Sequence, residues 1–251
     1  MVPLSASIAC KVCGQDAPFF GDVDFSRTGY DEPLRDTGVP IAYYRCGHCE
    51  FLFTNAFDAW SAEDFRREIY NEDYAKLDPE FASDRPLACA DLLSGMITSL
   101  KGKIRLMDYG GGEGAFARRM NEMGFEAYSY DPFFQGELLP REGDRFELIN
   151  CREVIEHAPD PHAFARDLLR FLADDGAIFL STVTQPPHMP EIGMAWGYAS
   201  PRNGHISLYS QKSLAILWAA YGLHTGFYAD NAQLVWRGEP ACFACLNRGP
   251  A

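Results

Sequence analysis

The middle of the chain alternates between two patterns of apolar residues. Short apolar runs predict strands, and GAFARRMNEMG, in which apolar residues recur every three or four positions, predicts a helix. Asp160 is predicted to cap a further helix that begins at Pro161 and ends at Gly176. The predicted strands are KIRLMDY, FEAYSYD, FELINCREVI and AIFLSTV. Strands that alternate with helices predict an α/β fold around a parallel sheet.

The last part of the chain predicts how this sheet ends. Ser210 is predicted to cap the helix QKSLAILWAAY, which ends at Gly222. HTGFYAD and ACFACLN follow with the composition of strands and no obvious helix between them. We therefore expect an antiparallel pair at one end of the sheet.

The part of the chain before residue 101 follows different patterns. Residues 1–56 are rich in glycine, proline and aromatic residues without a helical period, which predicts short strands and turns. Ser61 is predicted to cap one helix, and Asp84 with Pro86 marks the start of a second. We expect a small β module over residues 1–56, a helical connector over 57–100 that covers the pocket, and a main domain over 101–251.

Residues 185–209 form a long irregular stretch with four prolines, here called the 185–209 segment. Loops of this length inside compact domains usually carry function, which predicts a lid or a binding segment. Its side chains include aromatic and hydrogen-bonding groups suited to a polar ring, namely Trp196, Tyr198, Arg202 and Asn203. Arg202 is a candidate for holding a phosphate, with a solvated surface position as the alternative.

Charge narrows the range of partners. The chain has 22 Lys and Arg against 35 Asp and Glu, a net charge of −13, and no run of basic residues. This balance argues against nucleic acid and against anionic membrane surfaces as partners. The sequence has no apolar run of membrane-spanning length and no signal-peptide pattern, so we expect a cytoplasmic protein whose eight cysteines stay reduced.

A cluster of glycines follows the first strand of the main domain. Four of the five positions from Gly110 to Gly114 are glycine, which predicts that a ligand approaches the backbone there. Gly110, Gly112 and Ala115 match the dinucleotide pattern G-x-G-x-x-A, with Asp131 placed to accept from a ribose hydroxyl. Asp108, however, would repel a pyrophosphate and attract a cationic amino-acid group.

These motifs resemble those of the class I S-adenosylmethionine-dependent methyltransferases over about residues 60–247. The resemblance rests on DYGGGEG, on the acidic end of the second strand and on CREVIEHAPDP. It implies a Rossmann-like sheet that is mostly parallel with an antiparallel last strand, and a third strand that is short or absent. It also implies that Asp108, Gly110, Gly112 and Gly114 bind the methionine portion of S-adenosylmethionine and that Asp131 binds the ribose. Tyr70 and Tyr74 are expected either to pack in the core or to border the pocket, where Tyr74 would contact the cofactor.

The amino-terminal cysteines form two C-x-x-C pairs, Cys10 with Cys13 and Cys46 with Cys49. Four thiolates at this spacing predict one structural Zn²⁺, which would stabilise a module with little core of its own. Four other cysteines are expected to be separate buried side chains, namely Cys89, Cys151, Cys242 and Cys245. A cysteine module before a methyltransferase domain is similar to the zinc-containing sugar methyltransferases.

Two places offer groups for the transfer step. Glu153, Glu156 and His157 follow the strand FELINCREVI, and His205 lies in the 185–209 segment. This set resembles the divalent-metal site of small-RNA 2′-O-methyltransferases and ubiquinone-pathway O-methyltransferases, which implies that the four side chains hold Mg²⁺ beside a hydroxyl. The alternative is a metal-free site in which His157 or His205 is the general base.

The sequence therefore predicts a methyltransferase that acts on a hydroxyl of a small polar molecule, a sugar or a sugar nucleotide. Three other functions stay open at this point. They are an RNA-modifying methyltransferase, an NAD-dependent oxidoreductase and a non-catalytic protein that binds zinc and the cofactor.

Overall fold

The computed structural model describes residues 6–29, 36–72, 74, 84–134 and 137–238. The strands are β1 Ser7–Ala9, β2 Asp16–Asp24, β3 Pro40–Arg45, β4 Leu52–Phe53, β5 Arg105–Tyr109, β6 Glu126–Tyr130, β7 Phe146–Arg152, β8 Leu172–Ser181, β9 Ser207–Leu208, β10 His224–Ala229 and β11 Ala232–Trp236. The helices are α1 Ala62–Glu68, α2 Asp84–Met96, α3 Ala115–Glu122, α4 Pro161–Leu169, α5 Met189–Ile192 and α6 Gln211–Ala219.

The larger sheet confirms the predicted α/β architecture. Its strand order is β10-β11-β8-β7-β5-β6. The pairs among β5, β6, β7 and β8 are parallel, whereas β11 is antiparallel to both β8 and β10. None of the described residues between β6 and β7 forms a strand, as the short or absent third strand predicts.

The antiparallel pair at the sheet's end differs in part from the prediction. HTGFYAD supplies β10, but its partner β11 has the sequence AQLVW, directly after a tight turn. The predicted partner ACFACLN, which contains Cys242 and Cys245, lies outside the described residues. The prediction missed β11 because its polar Gln233 interrupts a short apolar run; that side chain is fully buried and bonds to Thr182 across the sheet.

Side chains that alternate along the strands supply both faces of this sheet with a core. Leu106 and Leu148 point toward α2 and α3, in a cluster that includes Leu93 and Phe116. Met107 and Ile149 point to the opposite face, where the cluster contains Phe164 and Leu168 of α4 and Leu214 and Leu217 of α6. Burial of both faces explains why apolar residues occupy consecutive positions in β5 and β7.

Polar caps fix the helix starts that the sequence predicts. The Ser61 side chain accepts from the Asp64 amide while Asp64 bonds back to the Ser61 backbone, and Ser210 and Ser213 form the same capping box before α6. Asp160 accepts from two amides at the start of α4, where Pro161 is the first residue. Each such cap stabilises its helix by about 1 kcal/mol.

One predicted boundary is wrong. Helix α4 ends at Leu169 and β8 already begins at Leu172, so Gly176 does not end a helix. Gly176 lies inside β8, at an irregularity in its register with β7. A Cβ there would lie 2.9 Å from the Phe146 carbonyl oxygen, so the close approach of β7 requires glycine.

A second sheet carries the amino-terminal cysteines. Its order is β1-β2-β3-β4-β9, and all of its pairs are antiparallel. Its last strand, β9, comes from the 185–209 segment rather than from the amino-terminal residues. The segment is therefore tied to this sheet by main-chain hydrogen bonds. None of the helices in the described residues has the length and apolar character needed to cross a membrane.

Candidate active site

The glycine cluster forms a turn between β5 and α3 in which Gly110 and Gly111 have no room for a side chain. A Cβ on Gly111 would lie 2.3 Å from the Asp108 Oδ2 atom and 2.5 Å from the Ser129 hydroxyl oxygen. At Gly110, where φ is +76°, a Cβ would also lie 2.5 Å from a Val154 methyl. Steric exclusion and backbone conformation thus both require glycine here.

Asp108 lies beneath this turn. Its side chain is buried and its Oδ1 atom accepts from the Asn150 amide nitrogen at 2.6 Å. Burial raises the pKa of the Asp108 carboxyl to about 7. Asn150 was missed by the sequence reasoning, although a polar side chain inside the apolar strand FELINCR is a signal that could have identified it. Asp108 is not among the residues that line the cleft described below.

Asp131 joins the end of β6 to the glycine turn. Its carboxylate accepts from the Gly112 amide at 3.0 Å and from the Phe133 amide at 2.7 Å. Burial raises the pKa of this carboxyl, which the hydrogen bonds partly counter. Gly114 lies at the N-cap of α3 with φ +82°, so the turn leads directly into a helix N-terminus.

A cleft of about 980 Å³ opens at the carboxyl ends of the parallel strands. One part of its wall contains Gly110 and Asp131. The same part contains four aromatic side chains, namely Tyr70, Tyr74, Phe133 and Phe134. Tyr70 packs edge-on against Tyr74 with 5.2 Å between ring centroids and lies 5.4 Å from Phe133. Tyr70 and Tyr74 thus combine aromatic packing with a position in the cleft wall. Phe133 and Phe134, directly after Asp131, were missed by the sequence reasoning.

The other part of the wall contains residues from the β7 loop and the 185–209 segment. They include Glu153, His157, Tyr198 and His205. His157 and His205 are 48 positions apart in the chain, yet their ring centroids lie 5.2 Å apart. Glu156, His157 and His205 each offer a ligand atom within 4.8 Å of the others.

Glu153 lies outside that three-residue cluster. Its carboxylate accepts from the Ser181 hydroxyl at 2.6 Å and from the Tyr198 hydroxyl at 3.2 Å. The backbone at Glu153 has φ +51°, a left-handed conformation that is uncommon for a residue other than glycine. Backbone outliers of this kind cluster at functional sites.

Glu156 is fully buried and its Oε1 atom accepts from the Tyr198 hydroxyl. Its Oε2 atom has no hydrogen-bond partner among the described residues. Burial, reinforced by the Glu153 carboxylate, raises the pKa of Glu156 well above its usual value. A buried carboxyl oxygen without a partner is unfavourable, so this atom is placed for a proton or a cation.

His205 is oriented by hydrogen bonds at one ring nitrogen. Its Nδ1 atom lies 3.0 Å from the Tyr198 carbonyl oxygen and 3.1 Å from the Ser200 hydroxyl. Because a carbonyl only accepts, Nδ1 carries the proton and Nε2 keeps its lone pair. Burial, with a smaller contribution from His157, lowers the pKa of His205 to about 3, so the ring is neutral near pH 7.

The four amino-terminal cysteines come together in one cluster. Their Sγ atoms all lie within 4.8 Å of one another, with Cys10 3.5 Å from Cys49 and Cys13 3.5 Å from Cys46. Sulfurs around a tetrahedral zinc ion are separated by about 3.8 Å, because each Zn–S bond is about 2.3 Å. Backbone amides also donate to the Cys10 and Cys46 sulfurs at 3.4 Å. The cluster therefore fits a structural Zn²⁺ ion. Cys89 and Cys151 are buried elsewhere, as predicted.

Both expectations for Arg202 are wrong. Its guanidinium is buried rather than solvated, and it donates to the Ile69 carbonyl at 3.0 Å and to the Asn71 side chain at 3.1 Å. It therefore ties the 185–209 segment to the chain after α1 and does not face a phosphate. Two other arginines line the cleft, Arg85 and Arg152, and sequence reasoning missed both. The described wall also contains four carboxylates, those of Asp131, Glu153, Asp160 and Asp167.

Comparison with known proteins gives a family match over most of the main domain. A family model described as "Methyltransferase domain" matches residues 81–225, more than half of the chain.

Two ubiquinone biosynthesis O-methyltransferases are similar to a short stretch of this chain. The protein from Glaesserella parasuis is 38% identical over 42 residues, which is 17% of this chain and 18% of that protein. The protein from Neisseria meningitidis is 35% identical over 51 residues, 20% of this chain and 21% of that protein. The chain thus matches only about a fifth of the length of these curated relatives.

Solved structures that are similar to this chain share little of its sequence. Magnesium protoporphyrin IX methyltransferase from Synechocystis, with bound S-adenosylhomocysteine, is 12% identical with a TM-score of 0.47, over 73% of this chain and 98% of that one. The mitomycin 7-O-methyltransferase is 14% identical with a TM-score of 0.49, over 71% of this chain and 61% of that one. The family match to residues 81–225 shows that the chain belongs to the class I S-adenosylmethionine-dependent methyltransferases.

Proposed function

We propose that this protein transfers a methyl group from S-adenosylmethionine to a hydroxyl of a small polar acceptor. The observation that supports this most is the glycine turn, with Asp108 beneath it and Asp131 across from it, at the mouth of an aromatic-lined cleft. S-adenosylmethionine would supply an electrophilic methyl group when bound. Asp108 and the turn would hold its amino-acid portion, Asp131 its ribose, and Tyr74 would contact it from the cleft wall.

We propose that the acceptor is a sugar or another hydroxylated ring without a phosphate chain. Four carboxylates against two arginines in the described wall make it a poor place for a nucleoside diphosphate. Aromatic walls with a few polar groups suit a ring that carries hydroxyls. A sugar nucleotide, the other predicted acceptor, is therefore the less favoured of the two.

The acceptor hydroxyl must lose a proton, and we propose that His205, with His157 beside it, takes this proton as the bond to the methyl group forms, because a ring with a pKa of about 3 is too weak a base to remove it beforehand. The Nε2 atom of His205 is fixed in orientation because its Nδ1 is held by the Tyr198 carbonyl. Glu156 would stay protonated in the absence of a cation and donate or accept through its unpartnered oxygen, while Glu153 holds Tyr198 in place. The expected loss on removal of a general base is about 10²–10⁴ in kcat.

The same atoms suggest a second version of the site, with a divalent cation bound to Glu156, His157 and His205. The unpartnered Glu156 oxygen and the low pKa of His205 both favour it, because metal ligands must be unprotonated. Two imidazoles and one carboxylate suit Mn²⁺, Co²⁺ or Zn²⁺ better than the Mg²⁺ expected from the sequence. Such an ion would lower the pKa of a bound hydroxyl.

The first experiment is a thermal-shift titration with S-adenosylhomocysteine and, in parallel, NADH. A ligand that binds only the folded state raises the melting temperature. We expect a shift with the homocysteine compound and none with NADH. A shift with NADH alone would overturn the proposal in favour of an oxidoreductase.

The second experiment measures transfer of labelled methyl from S-adenosylmethionine to a panel of free sugars, phenols, sugar nucleotides and RNA. We expect transfer to an unphosphorylated hydroxylated ring, and His205→Asn should abolish it without weakening S-adenosylhomocysteine binding. Transfer only to RNA would overturn the acceptor class. Cofactor binding without any product would favour a non-catalytic binding protein.

Glu156→Gln and Glu153→Gln distinguish the two versions of the site. With a cation, only Glu156→Gln should lose bound metal beyond the ion held by the cysteines, and manganese or cobalt should restore turnover to chelated wild-type protein. With a metal-free base, the protein should contain one metal ion per chain, the ion held by the cysteines. A chelator that leaves this ion in place should then leave turnover unchanged.

A further inference from the structure

The amino-terminal sheet holds the 185–209 segment at several separate points. The hydroxyl of Tyr43 donates to the backbone oxygen of His205 at 2.7 Å. Arg27 donates to the carbonyls of Met194 and Trp196, and the Gly29 amide donates to the Asn203 side chain at 3.0 Å. Together with the pairing of β4 and β9, these contacts fix the segment that carries His205 and Tyr198.

The cysteine cluster is anchored to the main domain by the residues between its ligands. Lys11 donates to the carbonyls of Thr54 and Pro159, each at 2.9 Å. His162 of α4 bonds to the Val12 carbonyl at 2.9 Å. Pro159 and His162 follow Glu156 and His157 within six residues, so these contacts attach the cysteine cluster to the chain directly after the other half of the proposed transfer site.

The module reaches the site through positioning rather than through contact with the cleft. Of its described residues, only Gly29 lines the cleft. Tyr43 is fully buried and does not line the cleft, yet its hydroxyl bonds to the residue whose ring does. The neighbouring Tyr198 carbonyl then orients the His205 ring, so backbone and ring are both fixed.

We infer that Tyr43 is a positioning residue for His205. Through Tyr43, the four-cysteine module would hold the 185–209 segment in the place that the proposed transfer site requires. This inference rests on the proposed function, since it requires His205 to act in the transfer as a base or as a ligand. It does not depend on which of these two roles is correct.

The test compares Tyr43→Phe with Tyr44→Phe. Tyr44 is the next residue of β3, is also buried and has a hydroxyl with no hydrogen bond among the described residues, so it is a matched control. The first readout is the imidazole ¹³C–¹H spectrum of the S-adenosylhomocysteine complex. The chain has six histidines, and the His205 signal is assigned from the spectrum of His205→Asn.

We expect Tyr43→Phe to displace or broaden the His205 signal and Tyr44→Phe to leave it unchanged. With the acceptor found in the methyl-transfer panel, Tyr43→Phe should lower kcat about tenfold and leave KM for S-adenosylmethionine unchanged. An unchanged His205 signal would overturn the inference, as would a kcat equal to that of Tyr44→Phe. Full turnover by His205→Asn would instead overturn the proposed role of His205 in the transfer, a result that does not involve Tyr43.

Arg27→Met gives a second variant in case Tyr43→Phe folds poorly. It releases the segment near Tyr198 and keeps the Tyr43 hydroxyl, because the Arg27 guanidinium donates to the Met194 and Trp196 carbonyls. The expected result is again a change in the His205 signal and a lower kcat at constant KM for the cofactor. Wild-type values for both would overturn the second part of the inference, that the amino-terminal module holds the 185–209 segment in the position that His205 needs.

Discussion

Replacement of Asp108 by asparagine should make the protein more stable and its cofactor binding weaker. The carboxyl is only 6% exposed, and burial raises its pKa to about 7 from an ordinary value of 3.8. Above pH 7 the native protein therefore contains a buried negative charge, with the Asn150 amide as its hydrogen-bond donor. Asparagine keeps the size and an acceptor for Asn150 but has no charge.

The magnitude follows from the pKa difference between the folded and the unfolded chain. Because the pKa is higher in the folded state, the native protein binds more protons between about pH 4 and pH 7, and its stability falls as the pH rises through that range. At pH 8 the raised pKa of Asp108 lowers the free energy of unfolding by about 4 kcal/mol. At pH 5 this contribution is about 1.7 kcal/mol, so the gain from Asp108→Asn should be about 2.5 kcal/mol larger at pH 8 than at pH 5.

Urea unfolding at the two pH values measures this difference, with Asp175→Asn as an exposed control. A second assay, the melting-temperature shift with S-adenosylhomocysteine, measures the cost to function. Loss of a charge-assisted interaction with the ligand's ammonium group should weaken binding at least about tenfold.

Two results would refute this reasoning. If the free energy of unfolding of Asp108→Asn exceeds that of the wild type by the same amount at both pH values, burial does not control the charge of Asp108. If the variant binds S-adenosylhomocysteine as tightly as the wild type, Asp108 is not part of the cofactor site.

Further predictions concern the turn, the cysteine cluster and the 185–209 segment. Gly111→Ala should lower the free energy of unfolding by about 2 kcal/mol and abolish cofactor binding, because its Cβ would overlap Asp108. Gly47→Ala, in open space, should change neither property. Urea unfolding measures the stability, and the ligand-induced shift in melting temperature measures the binding. Cys13→Ser should reduce bound zinc, measured by elemental analysis, and lower the melting temperature, and retention of one zinc per chain would contradict the four-cysteine site. Arg202→Met should destabilise the protein by about 2–3 kcal/mol because the Ile69 carbonyl and the Asn71 side chain lose a charged hydrogen-bond donor. A changed affinity for the methyl acceptor at wild-type stability would contradict this structural role of Arg202.

Several features of the fold follow from local sequence. Asp160 with Pro161, and Ser210 with Ser213, set helix starts through hydrogen bonds within three residues, which a short sequence window contains. The glycine turn is recognisable in the sequence because a Cβ at Gly110 or Gly111 would overlap neighbouring atoms and because three of its four glycines have a positive φ. The two C-x-x-C pairs are recognisable because this spacing is typical of four thiolates that bind one ion.

The errors at Gly176 and β11 have a tertiary cause. Glycine often ends helices, but Gly176 is required by the close approach of β7 across the sheet. Gln233 looks unsuitable for a buried strand until Thr182 is seen to satisfy its side chain from the neighbouring strand. Propensity alone does not contain these long-range partners.

By itself the sequence determined the α/β class, the glycine turn, the cysteine cluster and the identity of the titratable groups around the proposed transfer site. Only the tertiary structure decided that Glu156, His157 and His205 meet while Glu153 bonds elsewhere, and that Arg202 is buried. It alone joined β9 to the amino-terminal sheet and placed Tyr43 behind His205. The physical reason is that burial and charge depend on which distant segments pack together, and these contacts leave no periodic pattern in the sequence.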